Sequence, residues 1–192
     1  NKEPFQGLLR GNFPMPINSP DNKYKYQEFY NFLHGLIQNA LNYWIFIVTD
    51  KPSLSAKEIY NTRMNDSFWG LNEGTPNRKN IRKGDKVIFS EGTRQFLGTA
   101  TIGSDVFELA DEQKDELSHG IDFYRADYGV KLAEVVIWDE SKDVKNYLES
   151  LSFITDKEKY PVYFQGGVKR ITKSEYNTIT HSTEQKSSTE EV

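Results

Sequence analysis

Trp69, Asn72, Asn77 and Arg78 fall close together in the chain. They run into a cationic stretch made of Arg78, Lys79, Arg82, Lys83 and Lys86, with Asp85 as the one acid inside it. These side-chain types suit a nucleobase. A flat indole stacks on a base, amides read its hydrogen-bonding edge, and guanidinium and ammonium groups hold the phosphate. The bland reading stands beside this one. A tryptophan outside a long element commonly plugs its own core, and a charge run beside a turn is commonly a solvated face. The other two tryptophans read as core or rim: Trp44 lies inside an apolar run and Trp138 ends one.

Other chemistries find little support. The three histidines, His34, His119 and His181, lie in three separate settings, and none has metal-ligand spacing to another. The chain has no cysteine, which removes disulfides, thiol nucleophiles and cysteine-held zinc. It carries no phosphate-binding loop of the GxxxxGK type, no dinucleotide fingerprint and no nucleophile elbow. Gly166-Gly167 and the pair Gly70 and Gly74 read as turns. A binding role without cofactor or metal is therefore expected, in preference to catalysis.

The elements that must position these residues follow from period and punctuation. Residues 1–22 hold four prolines and no regular period, so they read as an arm. Over residues 24–41, Tyr26, Phe29, Tyr30, Leu33, Leu36, Ile37 and Ala40 recur at helical spacing. Tyr43 to Val48 is apolar on both faces and predicts a central strand. Ser55 to Tyr60 predicts a short helix capped by Ser53 or Ser55. Ser67 to Gly70 is expected to open a loop running to Asn80. Lys86–Ser90 and Gln95–Ile102 are expected to form a hairpin through Glu91-Gly92-Thr93. Residues 104–127 are acidic and poorly periodic. Gly129–Trp138 is expected as a strand, Val144–Leu151 as a short helix and Tyr160–Phe164 as a fifth strand. Thr172 with Glu175 forms a capping box for a last helix. The tail from His181 is rich in Ser, Thr, Glu and Lys, with almost nothing to bury. The division is an arm and amphipathic helix over 1–41, a β-rich domain over 42–180 and a polar tail or linker over 181–192.

Length and composition agree with this outline. A chain of 192 residues can bury a core without disulfides or metal. No apolar run approaches the roughly 18 residues of a membrane span. No signal-peptide pattern follows Asn1, so the chain reads as a soluble, cytoplasmic piece of something longer. The net charge of −4 is unusual for a nucleic-acid binder, but the charge is unevenly spread. The basic stretch at 78–86 contrasts with six acids between Asp105 and Glu116, and a locally basic surface can still meet phosphates.

The order of the pieces carries a resemblance. Tyr43-Trp44-Ile45-Phe46, Thr49-Asp50-Lys51-Pro52, Trp69-Gly70, Asn77, Arg82-Lys83-Gly84-Asp85-Lys86-Val87-Ile88-Phe89-Ser90 and Phe96-Leu97-Gly98-Thr99-Ala100 follow one another as in an EVE domain. Val135-Val136-Ile137-Trp138 and Arg170-Ile171-Thr172-Lys173-Ser174-Glu175-Tyr176 continue the match. Over about residues 42–180 the chain resembles EVE and YTH domains of the PUA-like superfamily. The resemblance implies an α+β fold, a curved barrel-like mixed β-sheet flanked by short helices. It also implies a pocket for an extruded modified base. Trp69 falls where the family places a cage tryptophan, and Thr49 and Asp50 fall on the loop that reads the base edge. Asn77 and Ser90 complete the implied pocket. The opposite wall would come from Phe123, Tyr124 or Tyr128, where this chain has no tryptophan. The implied phosphate contacts are Arg78, Lys79, Arg82, Lys83 and Lys86.

The extension over residues 1–41 and the polar tail resemble the N-terminal specificity module of McrB-like modification-dependent restriction proteins. In that arrangement the tail leads to a nucleotide-hydrolysing motor. DNA is the favoured partner, with RNA as the alternative. The rival class is an enzyme: ASCH-type domains share the PUA-like fold, and some resemble small amidohydrolases of modified bases. Such a site would want Lys51, Ser90 and Glu91 to converge. A protein-interaction domain whose aromatics are all core is the third reading.

Overall fold

The computed structural model describes residues 29–33, 36, 41–121 and 124–181. Residues 29–33 and 36 are helical and belong to a unit of their own, Asn1–Ala40. The rest of the expected arm and of the 24–41 helix, the expected tail beyond His181, and Phe123 lie outside the described residues. The second unit begins at Leu41 and holds everything that follows here.

Seven strands form one mixed sheet: β1 (Tyr43–Val48), β2 (Phe68–Leu71), β3 (Lys86–Glu91), β4 (Gln95–Ile102), β5 (Phe107–Glu108), β6 (Tyr128–Asp143) and β7 (Val168–Ile171). Their order is β2-β6-β4-β3-β1-β7, with β5 also on β6. β1 runs parallel to β3 (Trp44 beside Val87), and every other pairing is antiparallel. The helices are α1 (Ala56–Asn65), α2 (Asp111–Ser118) and α3 (Lys173–His181), with 3-10 segments at Arg78–Asn80, Val144–Ser150 and Tyr160–Phe164. Among the described residues no helix is long and apolar enough to cross a membrane.

The double-faced apolar run of β1 has a direct cause. All six of its residues are buried, because each face of the strand meets a separate core. Trp44, Phe46 and Val48 point into one core with Tyr60, Trp69, Val87 and Phe89. Tyr43, Ile45 and Ile47 point into the other, with Phe96, Val144, Tyr147, Leu151, Phe164 and Ile179. The sheet curls around the first core. Trp69 of β2 sits at one end of the strand order and still reaches Phe46 of β1, with ring centres 5.5 Å apart. A flat sheet would hold these strands several strand spacings apart.

β6 lets one strand serve both ends of the curl. Its start pairs with β2 and its later part pairs with β4. Just inside the β4-paired part Glu134 takes φ +50°, and the register to β4 shifts there. Such a bulge bends a strand and raises its twist.

A buried carboxylate locks the entry of β1 to β3. Asp85, 1 % exposed, accepts from the Asn42 backbone N–H (2.9 Å), the Trp44 indole Nε1 (2.8 Å) and the Arg82 backbone N–H (2.9 Å). Read from sequence, Gly84-Asp85 is only a turn. The expected capping box forms, and Ser55, one of the two expected caps, makes a second box with Glu58. Ser55 accepts from Glu58 N–H while Glu58 accepts from Ser55 N–H, and Thr172 and Glu175 do the same.

Four expected elements differ. Phe68–Leu71 is a strand, so Trp69 does not lie in a loop. Residues 104–127 contain β5 and α2. The strand expected over Gly129–Trp138 extends to Asp143. Tyr160–Phe164 is a 3-10 segment, because Pro161 lacks the N–H a strand ladder needs and its fixed φ suits a helical first turn.

Candidate nucleic-acid interface

The open end of the curled sheet contains a cavity of about 500 Å³. Its walls come from five parts of the chain. The end of β1 gives Ile47 and Val48, and the loop after it gives Thr49 and Lys51. Helix α1 gives Ile59 and Arg63. Strand β2 gives Trp69, Gly70 and Leu71, with Asn72 and Thr75 beyond it. Tyr124 comes from the segment before β6. Phe164 to Val168 complete the ring. The volume falls in the range of small-ligand sites. Its character is aromatic and polar. Trp69 and Tyr124 supply rings, Asn72 and Gln165 amides, and Thr49 and Thr75 hydroxyls. Its charged wall residues are Lys51 and Arg63, and no carboxylate residue is among them.

Trp69 is both core and wall. It is 8 % exposed, and its ring centre lies 5.1 Å from Phe89 and 5.5 Å from Phe46. Pairing of Trp69 with Val130 of β6 fixes its backbone. The indole is thereby held rigidly with a part of its surface on the cavity, so pocket and plug are not exclusive alternatives at this position.

Tyr124 is held by a residue that sequence reasoning missed. Arg63 is 5 % exposed and donates from Nη1 to the Leu117 carbonyl (3.0 Å) and from Nη2 to the Tyr124 carbonyl (3.1 Å). Its guanidinium also lies 4.4 Å from the centre of the Tyr124 ring. Burial pulls the Arg63 pKa below its ordinary value, opposed by Asp66 nearby. Its position is a signal, since 63 falls on the same helical face as the buried Ala56, Ile59, Tyr60 and Met64, but its residue type ordinarily marks a solvent-facing place.

Gly166 and Gly167 have φ of +87° and +80°, a backbone region that side chains rarely adopt. The Gly167 carbonyl accepts from Ile47 N–H at 2.8 Å, which closes the cavity against β1. The glycine pair is a turn, as its sequence indicates, and this turn is also a wall.

The remaining expected residues divide. Thr49, like Trp69 and Tyr124, lines the cavity. Asp50 does not. Its carboxylate accepts from Ala56 N–H at the start of α1 (2.8 Å) and from both Nη atoms of Arg94 (2.9 and 3.0 Å), and the Arg94 bond leads the effects that hold its pKa below the ordinary value. Ser90 is fully buried and donates to the Gly92 carbonyl at 2.8 Å, away from the cavity. Asn77, at φ +60°, lies in a smaller neighbouring recess of about 230 Å³ with Glu73, Thr75, Arg78, Lys79 and Asn80. Thr75 belongs to both hollows. Tyr128 is not a cavity wall: its ring lies under the Arg78 guanidinium, 3.6 Å from carbon to ring centre.

The cationic stretch also divides. Arg78 and Lys79 line the recess. Arg82 donates to the carbonyls of Lys79 (2.6 Å) and Ile81 (2.9 Å). Lys83 is exposed, and its backbone N–H donates to Asp105 at 3.0 Å. Lys86 is paired with Glu134 at 3.1 Å and bonded to Thr101. The trio weighed for hydrolysis does not converge. Lys51 lines the cavity, Ser90 is turned away, and Glu91 is engaged by Arg94 and Gln95.

No protein-family model and no curated protein matches the chain. Solved structures do. Human THYN1, in complex with DNA containing 5-methylcytosine, is similar with a TM-score of 0.50 and 10 % identity over 75 % of this chain and 98 % of that one. The YTH domain of Zygosaccharomyces rouxii MRB1, in complex with N6-methyladenosine RNA, has a TM-score of 0.46 and 14 % identity over 73 % of this chain and 86 % of that one. The N-terminal domain of Staphylothermus marinus McrB has a TM-score of 0.42 and 16 % identity over 73 % and 93 %. At such identities the likeness is one of fold. The curled mixed sheet with its short flanking helices has the PUA-like architecture that the order of the sequence motifs implies.

Proposed function

We propose that the domain binds nucleic acid by accepting one modified, extruded base into the cavity between Trp69 and Tyr124. The carrying observation is the cavity itself. It joins a rigid indole and a tyrosine to amides and hydroxyls, with Lys51 and Arg63 as its charged walls. Stacking on an aromatic surface contributes roughly 1–3 kcal/mol per base, against the few kcal/mol that extrusion costs. Asn72, Gln165, Thr49 and Thr75 are the groups that would read the base edge. The role is binding, with no cofactor.

DNA is the favoured partner. The fold is shared with THYN1, whose solved complex contains 5-methylcytosine DNA. Together with the sequence resemblance, this extends the proposal to a cytoplasmic targeting module of an McrB-like restriction system, which would bring a motor to modified DNA.

The test is a binding panel. Labelled single- and double-stranded DNA and RNA oligonucleotides carry 5-methylcytosine, N6-methyladenine or no modification. Preference for one modified DNA over its unmodified twin supports the proposal. Equal affinity for modified and unmodified strands removes base recognition, and preference for RNA moves the partner.

A further inference from the structure

Arg78 stands apart from the other cations of its stretch. Its guanidinium is stacked on Tyr128 at 3.6 Å. Its Nε is buried and has no hydrogen-bond partner, alone in this among the buried side-chain nitrogens and oxygens of the described residues. Arg82 and Lys86 already have protein acceptors. A buried donor left unsatisfied is costly, and such a group calls for an explanation.

Stacking on Tyr128 holds the group in place, and position gives the rest of the guanidinium a task. Arg78 lines the recess with Asn77 and Lys79, and Thr75 forms a wall common to the recess and the large cavity. A ligand whose base enters the cavity past that common wall would have its backbone beside the recess. The ring of Tyr128 covers one face of the guanidinium. The planar edge, with donors arranged as a fork, is the part that recognises phosphate oxygens in pairs. Glu73 lines the same recess and opposes an anion there.

We infer that this recess seats a backbone phosphate of the nucleotide whose base enters the cavity, with Arg78 as its forked partner and Tyr128 as the residue that positions Arg78. The inference rests on the nucleic-acid reading above. It gives Tyr128 a task different from the cage wall implied by sequence resemblance. The Nε stays in the wall, and an anion in the recess would accept from the two Nη groups at the outer edge of the guanidinium.

The experiment is fluorescence anisotropy of the full chain with labelled modified and unmodified oligonucleotides across a potassium chloride series. One phosphate contact contributes about one unit to the slope of log affinity against log salt. Arg78→Gln keeps a similar stem and removes the charge. It is expected to weaken modified and unmodified strands by the same factor and to lower the salt slope by about one. Tyr128→Ala is expected to act in the same direction, and Tyr128→Phe, which keeps the ring, to restore the slope. Glu73→Gln is expected to tighten both strands. Circular dichroism melts accompany each variant, and Arg78→Gln with Tyr128→Phe decide the matter if Tyr128→Ala does not fold. Wild-type binding with an unchanged Arg78→Gln slope overturns the inference and leaves the proposed function standing. A Tyr128→Ala loss confined to modified strands overturns the positioning role and makes Tyr128 a wall of the base site. A wild-type chain that binds none of the oligonucleotides removes both.

Discussion

Arg63 donates to the backbone carbonyl of Tyr124 at 3.1 Å while its guanidinium stacks on the ring of the same residue, 4.4 Å from its centre. One side chain thus ties down the Leu117 and Tyr124 carbonyls and the ring of the tyrosine that lines the cavity. Replacing Arg63 by Ala leaves the Leu117 and Tyr124 carbonyls without these donors and opens a void beside Phe68. A loss of about 3 kcal/mol in urea unfolding is expected, since bonds from a charged donor carry roughly 1.5–3 kcal/mol each. Arg63→Lys recovers only part of it, because an ammonium does not reproduce the fork. A change within about 0.5 kcal/mol for Arg63→Ala, the range of an ordinary surface substitution, would contradict this role.

Asp85 tests the lock between β1 and β3. Its carboxylate accepts from the Trp44 indole at 2.8 Å and from two backbone N–H groups. Asp85→Ala strands those donors in a buried place, so a destabilisation of more than about 2 kcal/mol is expected from equilibrium unfolding. The Trp44 indole resonance should shift in the same variant. A variant as stable as the wild type would mean that the donors find other partners.

Acid stability should depend on Glu175. Burial alone would raise its pKa, but bonds from the N–H groups and side chains of Thr172 and Ser152 outweigh it and hold the value below the ordinary 4.5. A depressed folded-state pKa gives stability that is present above the unfolded value and lost as pH falls through the folded one. The stability gap between wild type and Glu175→Gln should therefore be full at neutral pH and shrink as pH drops below about 4.5. Urea unfolding at pH 7 and pH 3 measures it, and a gap that stays constant with pH argues against a charged role.

Much of this architecture can be read from local signals. β1 announces itself because a strand between two cores must be apolar at every position. The Ser55 cap and the capping box of Thr172 with Glu175 announce their helices because such signals are contained within four residues. β2 does not, since Phe68-Trp69-Gly70-Leu71 is too short to show a period and is flanked by turn formers. The cavity is legible in part. Trp69, Thr49 and Tyr124, singled out from the sequence, line it. Gln165, Gly166 and Gly167 were missed because the pairing of β7 with β1 brings them in from far along the chain. Ser90 falls away because its hydroxyl is committed to the Gly92 carbonyl, and Asp50 because its carboxylate is committed to Ala56 N–H and to the distant Arg94 side chain, which residue type alone does not reveal.

The most direct test of the base-pocket claim uses the three tryptophan indole N–H signals of a ¹⁵N-labelled chain, titrated with a modified oligonucleotide and with its unmodified twin. Trp44 is an internal control, fully buried with its indole bonded to Asp85. Trp138 is a second, with Lys142 over its ring at 4.4 Å. The expected result is a saturable shift of the Trp69 signal with the modified strand, little movement of Trp44 and Trp138, and a much weaker response to the unmodified strand. Trp69→Phe, which preserves an aromatic against Phe46 and Phe89, should then lower affinity for the modified strand severalfold, because the smaller ring keeps only part of the roughly 1–3 kcal/mol of stacking. Binding of the modified strand with the Trp69 signal unmoved would contradict the claim.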